Sequence, residues 1–183
     1  MKLENITKSF NGKEIISSLT CDIPNGKVTY IMGASGIGKT TLLRIIAGLD
    51  TDFGGNIEKN GKIAYVFQEP RLFPALTVKE NVEIVGGTND CKDVLSMVEL
   101  GGCENMMPNE LSGGMKMRLS IARALYSAAD IYLMDEPFSA LDDETKNRIV
   151  PRIFAFLKGK TVIIVSHSLD EAASYADNTI NLQ

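Results

Sequence analysis

Short apolar runs alternate with segments of helical period along the chain, the pattern of an α/β domain whose strands are buried on both faces. Residues 28–32 predict a strand that runs into a glycine-rich stretch at 33–38. Leu42, Leu43, Ile45 and Ile46 then recur at helical spacing until Gly48 offers a stop. Gly54, Gly55 and the Asn60-Gly61 pair punctuate the stretch before a second strand at 63–67, which predicts a hairpin there. From Pro70 to Glu110 the pattern breaks into short helical pieces, 78–85 and 91–100, and a strong helix follows at 115–128. Together these make a small helical lobe at about 70–128, inserted within a single domain spanning 1–183. Strands at 131–134 and 161–165 flank a helix at 143–157 that contains Pro151, and a proline there must kink or split it.

Composition narrows the class. A chain of 183 residues with 44% hydrophobic positions builds one core without staples, and a net charge of −4 argues against a protein that grips nucleic acid non-specifically. Cys21, Cys91 and Cys103 are odd in number and lack CxxC spacing, so they suggest neither a disulfide framework nor a zinc site and suit a reducing cytoplasm. The longest apolar runs, 131–134 and 162–165, are strand-sized, so the chain itself is not expected to span a membrane.

Gly33-Ala34-Ser35-Gly36-Ile37-Gly38-Lys39-Thr40 satisfies G-x-x-x-x-G-K-[ST] between a strand and a helix. Glycines turn successive backbone N–H groups toward phosphate oxygens, Lys39 reaches the terminal phosphates, and the Thr40 hydroxyl can hold Mg²⁺. Asp135 and Glu136 end the strand at 131–134, at the sheet edge where open α/β folds bind ligands. Asp135 can hold Mg²⁺ there, while Glu136 can orient or deprotonate an attacking water. His167, the lone histidine, and Gln68 follow two further strands. Leu111-Ser112-Gly113-Gly114-Met115 opens the helix at 115–128; Ser112 as a plain helix cap is the bland alternative to an anion site.

In this order the residues resemble the ATP-binding cassette (ABC) family of ATPases across nearly the whole chain. Residues 33–40 look like its Walker A loop, Gln68 its Q-loop, Leu111 to Met115 its signature, and 131–136 its Walker B strand. Ser139-Ala140-Leu141-Asp142 resembles the D-loop and His167 the switch histidine, while Met115 stands where the family commonly has glutamine. The resemblance implies an α/β P-loop NTPase with an ABC-type core, an antiparallel β portion and a short helical lobe. It implies ATP and Mg²⁺ as cofactors. Nucleotide would contact Phe10 as a base-stacking aromatic, Gly33, Ala34, Ser35, Gly36, Ile37, Gly38, Lys39, Thr40 and Thr41, together with Ser112, Gly113 and Gly114 of a second subunit. Thr40, Gln68 and Asp135 would face the metal, and Glu136, His167, Gln68 and Lys39 the chemistry.

The expected protein is therefore the ATP-hydrolysing subunit of a membrane transporter, cytoplasmic and peripheral on the inner face of the membrane. It would form a head-to-tail dimer with itself or a paralogous cassette and push on separate permease subunits. The wording around Gln68-Glu69-Pro70-Arg71-Leu72-Phe73-Pro74 looks like importers of the nitrate, sulfonate and taurine group, and 68–82 would carry the permease groove, with Leu72, Phe73 and Leu76 as contacts. A soluble regulatory or assembly ATPase of the same family and a P-loop small-molecule kinase are the alternatives; no nucleic acid partner is expected.

Overall fold

The computed structural model describes residues 1–87 and 90–182; the lobe interval 70–128 includes Thr88 and Asn89, which lie outside these, as does Gln183. Among the described residues the strands divide between two sheets according to how much of each is apolar. The runs at β3 (Val28–Met32), β5 (Ile63–Val66), β6 (Ile131–Asp135) and β7 (Thr161–Val165), with the more polar β8 (Asn178–Asn181), form a sheet of order β5-β6-β7-β3-β8 in which every pairing is parallel. All five residues of β6 and of β7 are buried, as central parallel strands require. The alternating β1 (Lys2–Phe10) and β2 (Lys13–Asp22) join β4 (Gly54–Glu58) in an antiparallel sheet of order β2-β1-β4. Asn11 and Gly12, with φ of 50° and 78°, make the two-residue turn between β1 and β2.

The hairpin expected within 53–67 does not form. β4 pairs with β1, Leu3 opposite Ile57, whereas β5 pairs with β6, Ile63 opposite Ile131. The Asn60-Gly61 turn serves instead to pass the chain between sheets. Asp130 anchors its exit, accepting from the Lys62 amide at 2.9 Å through Oδ2 while its own amide donates to the Lys62 carbonyl at 2.9 Å.

The period-2 geometry of the parallel strands assigns alternate residues to two cores. Ile31, Ile131, Leu133, Ile163 and Val165 pack toward α1 (Lys39–Ala47), which is sandwiched against Leu3, Ile6 and Ile16 of the antiparallel sheet. Tyr30, Met32, Tyr132, Met134, Val162 and Ile164 face the other way, toward α2 (Val78–Glu83), α3 (Cys91–Met97), α4 (Gly113–Tyr126) and α5 (Asp143–Phe156). A 3₁₀ turn (Pro108–Glu110) precedes α4, and α6 (Leu169–Tyr175) precedes β8. Pro151 does not split α5: the helix continues to Phe156, held by Ile149, Val150 and Ile153 on its buried side while Pro151 faces solvent. No helix among the described residues is long and apolar enough to cross a membrane.

Candidate functional site

The C-terminal ends of four parallel strands converge on one cleft. The loop at 33–38 follows β3, Gln68 follows β5, Asp135 ends β6, and His167 lies two residues beyond β7. The cleft, about 320 Å³, is lined by Phe10, Ser35, Gly36, Gly38, Lys39, Thr40, Thr41, Gln68, Asp135, Glu136 and His167, and also by Ile15 and Val165. Chain order scatters these residues from Phe10 to His167; the parallel register of β3, β7 and β6 is what assembles them.

Gly38 shows why the loop needs glycine. Its φ is 105°, and a Cβ there would stand 2.9 Å from Ile15 Cγ2, so both backbone conformation and space exclude a side chain. As N-cap of α1 it provides no side-chain acceptor, and the helix N-terminus opens toward the cleft with its orphan N–H groups available to an anion. The buried Lys39 arches back over the loop and donates to the carbonyls of Gly33 at 2.8 Å and Ala34 at 2.9 Å, which fixes the ammonium and leaves one donor uncommitted. Gly33, Ala34 and Ile37 do not line the cleft; the first two hold Lys39 from behind.

Opposite this positive edge stand two carboxylates. Asp135 is 2% exposed and its Oδ1 has no hydrogen-bond partner. Burial raises its pKa above the ordinary aspartate value, opposed by the Thr40 hydroxyl and by Lys39. Glu136 is likewise raised by burial, against the pull of His167, and Asp135 beside it raises it further. Glu136 Oε1 stands 3.2 Å from His167 Nε2 without hydrogen-bond geometry and is otherwise unpartnered. The backbone of Glu136 has a φ of 48°, a left-handed conformation fixed by its amide donating to the Val165 carbonyl at 2.9 Å and its carbonyl accepting from Ser139 Oγ at 2.9 Å. Strain maintained by surrounding bonds in this way marks a side chain placed for use.

The unpartnered buried Oδ1 of Asp135 beside the Thr40 hydroxyl, with Gln68 on the wall of the same cleft, fits a hard cation that keeps most of its own waters and takes few protein ligands. Mg²⁺ suits that donor set; no group of three or more His, Cys, Asp or Glu forms a metal cluster among the described residues.

Ser112, Gly113 and Gly114 are not brought to this cleft. Ser112 Oγ caps α4 by accepting from the Met115 amide at 3.3 Å. The place of a Cβ on Gly114 lies 3.3 Å from the Ala140 carbonyl, so the signature abuts the D-loop segment of its own chain. Of the apolar residues expected to meet a partner, Phe73 is 46% exposed, whereas Leu72 packs against the main core. Sequence reasoning missed Asn81. Fully buried on α2, it accepts from the Phe73 amide at 2.8 Å and donates to the carbonyls of Phe73, Leu76 and Thr77, so one side chain pins the loop that presents Phe73. No local sequence pattern marked it, since its role rests on contacts with the loop before its helix.

A family model described as ABC transporter matches residues 16–139. Curated relatives include an aliphatic sulfonates import ATP-binding protein, SsuB 2, of Pseudomonas syringae pv. tomato, 40% identical over 94% of this chain and 78% of its own length. A second, SsuB 1 of Pseudomonas aeruginosa, is 38% identical over 98% of this chain and 80% of its own. Among solved structures, a dimeric bacterial ABC transporter cassette superposes with a TM-score of 0.86 at 33% identity, covering 99% of this chain and 93% of that one. A dimeric post-hydrolysis state of such a cassette, bound to ADP and Pi, also gives 0.86 at 32% identity, covering 100% and 94%. The chain belongs to the ABC transporter family, as an ATP-binding and ATP-hydrolysing cassette.

Proposed function

We propose that this cassette drives an importer, as a cytoplasmic, peripheral subunit on the inner face of the membrane whose ATP-dependent dimer pushes on separate permease subunits. The observation that carries the site reading is the pair of unpartnered carboxylate oxygens on Asp135 and Glu136 facing the N-terminus of α1 across the cleft. The relatives' names support import, and make an organic sulfonate the first cargo to test.

In this reading residues 1–183 form one ATPase domain. Ser35, Gly36, Gly38 and Thr41 cradle the phosphates, and the free donor of Lys39 meets the terminal ones. Thr40, Asp135 and Gln68 hold Mg²⁺, which when bound neutralises phosphate charge. Glu136 accepts a proton from, or aligns, the attacking water, with His167 beside it on the terminal phosphate side. The signature's exposed helix start, remote from its own chain's cleft, would close on the cleft of a second subunit in head-to-tail fashion, so Ser112, Gly113 and Gly114 complete the site in trans. Phe73, on the loop pinned by Asn81, faces the permease.

Affinity capture of the ATP-locked protein from detergent-solubilised source membranes tests the class. Recovery of a multi-span membrane protein supports the transporter reading, whereas recovery of soluble partners alone would favour a regulatory ATPase. Phosphate release with water as the sole acceptor excludes the kinase alternative.

A further inference from the structure

Two residues before Phe10 on β1 lies Lys8, a lysine only 4% exposed. Its Nζ donates to Asp50 Oδ1 at 2.9 Å and to the Asp52 carbonyl, and lies 3.3 Å from Asp52 Oδ2. The same ammonium stands over the Phe10 ring, 4.8 Å from its centroid. Oxygens on two residues thus hold one buried cation in place against an aromatic face. Asp50 follows the C-terminal end of α1, the helix whose first turn carries Lys39, Thr40 and Thr41. Lys8 therefore ties the aromatic at one side of the cleft to the far end of the phosphate-facing helix. Phe10 itself is the last residue of β1 before the Asn11-Gly12 turn, 49% exposed, and part of the cleft wall.

We propose that Lys8 is a positioning residue for the nucleotide base: it covers one face of the Phe10 ring and leaves the opposite face as the platform on which adenine stacks. A cation on one face also draws π density toward itself, so the free face repels an electron-rich purine less. Lys8 does not act on phosphate, because its donors are committed to Asp50 and Asp52. The inference rests on the reading of Phe10 as the base-side aromatic.

Steady-state ATP hydrolysis, paired with inhibition by inorganic tripolyphosphate, separates base from phosphate. Lys8→Met, which keeps chain length and removes the charge, should raise KM for ATP by about 3- to 10-fold with kcat within about twofold. The inhibition constant of tripolyphosphate, which has no base, should not move. Lys8→Arg should restore the KM. Because Lys8→Met leaves the largely covered Asp50 carboxylate without its partner, Lys8→Met with Asp50→Asn provides a second version that should show the same split. An unchanged KM in both versions overturns the proposal, as does a parallel rise in the tripolyphosphate constant. In a Phe10→Ala background Lys8→Met should have no further effect on KM; an equal further rise would show that Lys8 does not act through the ring. Phe10→Ala alone reports on the underlying reading. If it leaves KM for ATP unchanged, Phe10 is not the base platform; if it raises KM while Lys8→Met does not, that reading stands and the role of Lys8 falls.

Discussion

At the scale of single residues the site is a contest between burial and charge. Lys39 is buried yet spends two donors on Gly33 and Ala34, so its charge is aimed rather than mobile. Lys39→Ala should abolish tight MgATP binding: ligand at about 100 times its dissociation constant stabilises a binding protein by about 2.7 kcal/mol, and the variant should show little of that in thermal unfolding. Equal shifts in both proteins would refute the phosphate-loop assignment. Glu136 gives a pH prediction. Burial raises its carboxyl above the ordinary glutamate range, with His167 opposing. A base must be ionised to work, so hydrolysis should rise with pH through an apparent pKa above that range and decline below it. The rate profile of Glu136→Gln should lack that acid limb; retention of the limb would place the titrating base elsewhere.

Elements show why some of the architecture could be read from sequence and some not. Pro151 in α5 denies the Asn147 carbonyl its i+4 donor, but the buried Ile149, Val150 and Ile153 hold the helix together. Proline costs a helix interior about 3 kcal/mol relative to alanine, while its stiffening of the unfolded chain returns about 0.4–1 kcal/mol, so Pro151→Ala should stabilise the protein by up to about 2 kcal/mol in urea unfolding. A loss of stability would mean that packing requires the proline's bend. The runs at 131–134 and 161–165 were legible because strands buried on both faces are apolar without interruption. β1 and β2 were not found, although Asn11-Gly12 is a hairpin signal: their alternation is diluted by polar residues such as Lys8, and register irregularities break the period. The same turn chemistry misled at Asn60-Gly61, since a turn dipeptide specifies reversal but not which sheet receives the next strand. The cleft's loop residues carry a spacing that phosphate binding dictates, so they stood out. Asn81 and Ile15 serve through tertiary contacts, which no local pattern announces.

At the scale of the whole molecule the decisive fact is that the signature stands apart from its own chain's cleft. Ser112 is exposed and caps α4, and Gly114 abuts the Ala140 carbonyl, so both lie on a surface that a second subunit can meet. Ser112→Arg should therefore block hydrolysis by obstructing closure while the monomer still binds nucleotide. Full turnover by this variant would exclude the head-to-tail arrangement. Glu136→Gln separates chemistry from closure. It preserves size and hydrogen bonding but removes the carboxylate proposed to accept or align the water's proton, and loss of a positioned base is worth roughly 10² to 10⁴ in rate. Lys39, Thr40 and Asp135 are untouched, so MgATP should bind and persist. Contacts from Ser112 and Gly114 to the terminal phosphate would then hold two subunits together, and the variant should elute as a dimer with ATP and a monomer with ADP. A kinase, needing an acceptor rather than a second copy, has no reason to behave so. Wild-type hydrolysis by Glu136→Gln would remove the base from Glu136; an inactive variant that stays monomeric with ATP would leave the base in place and overturn the closure in trans.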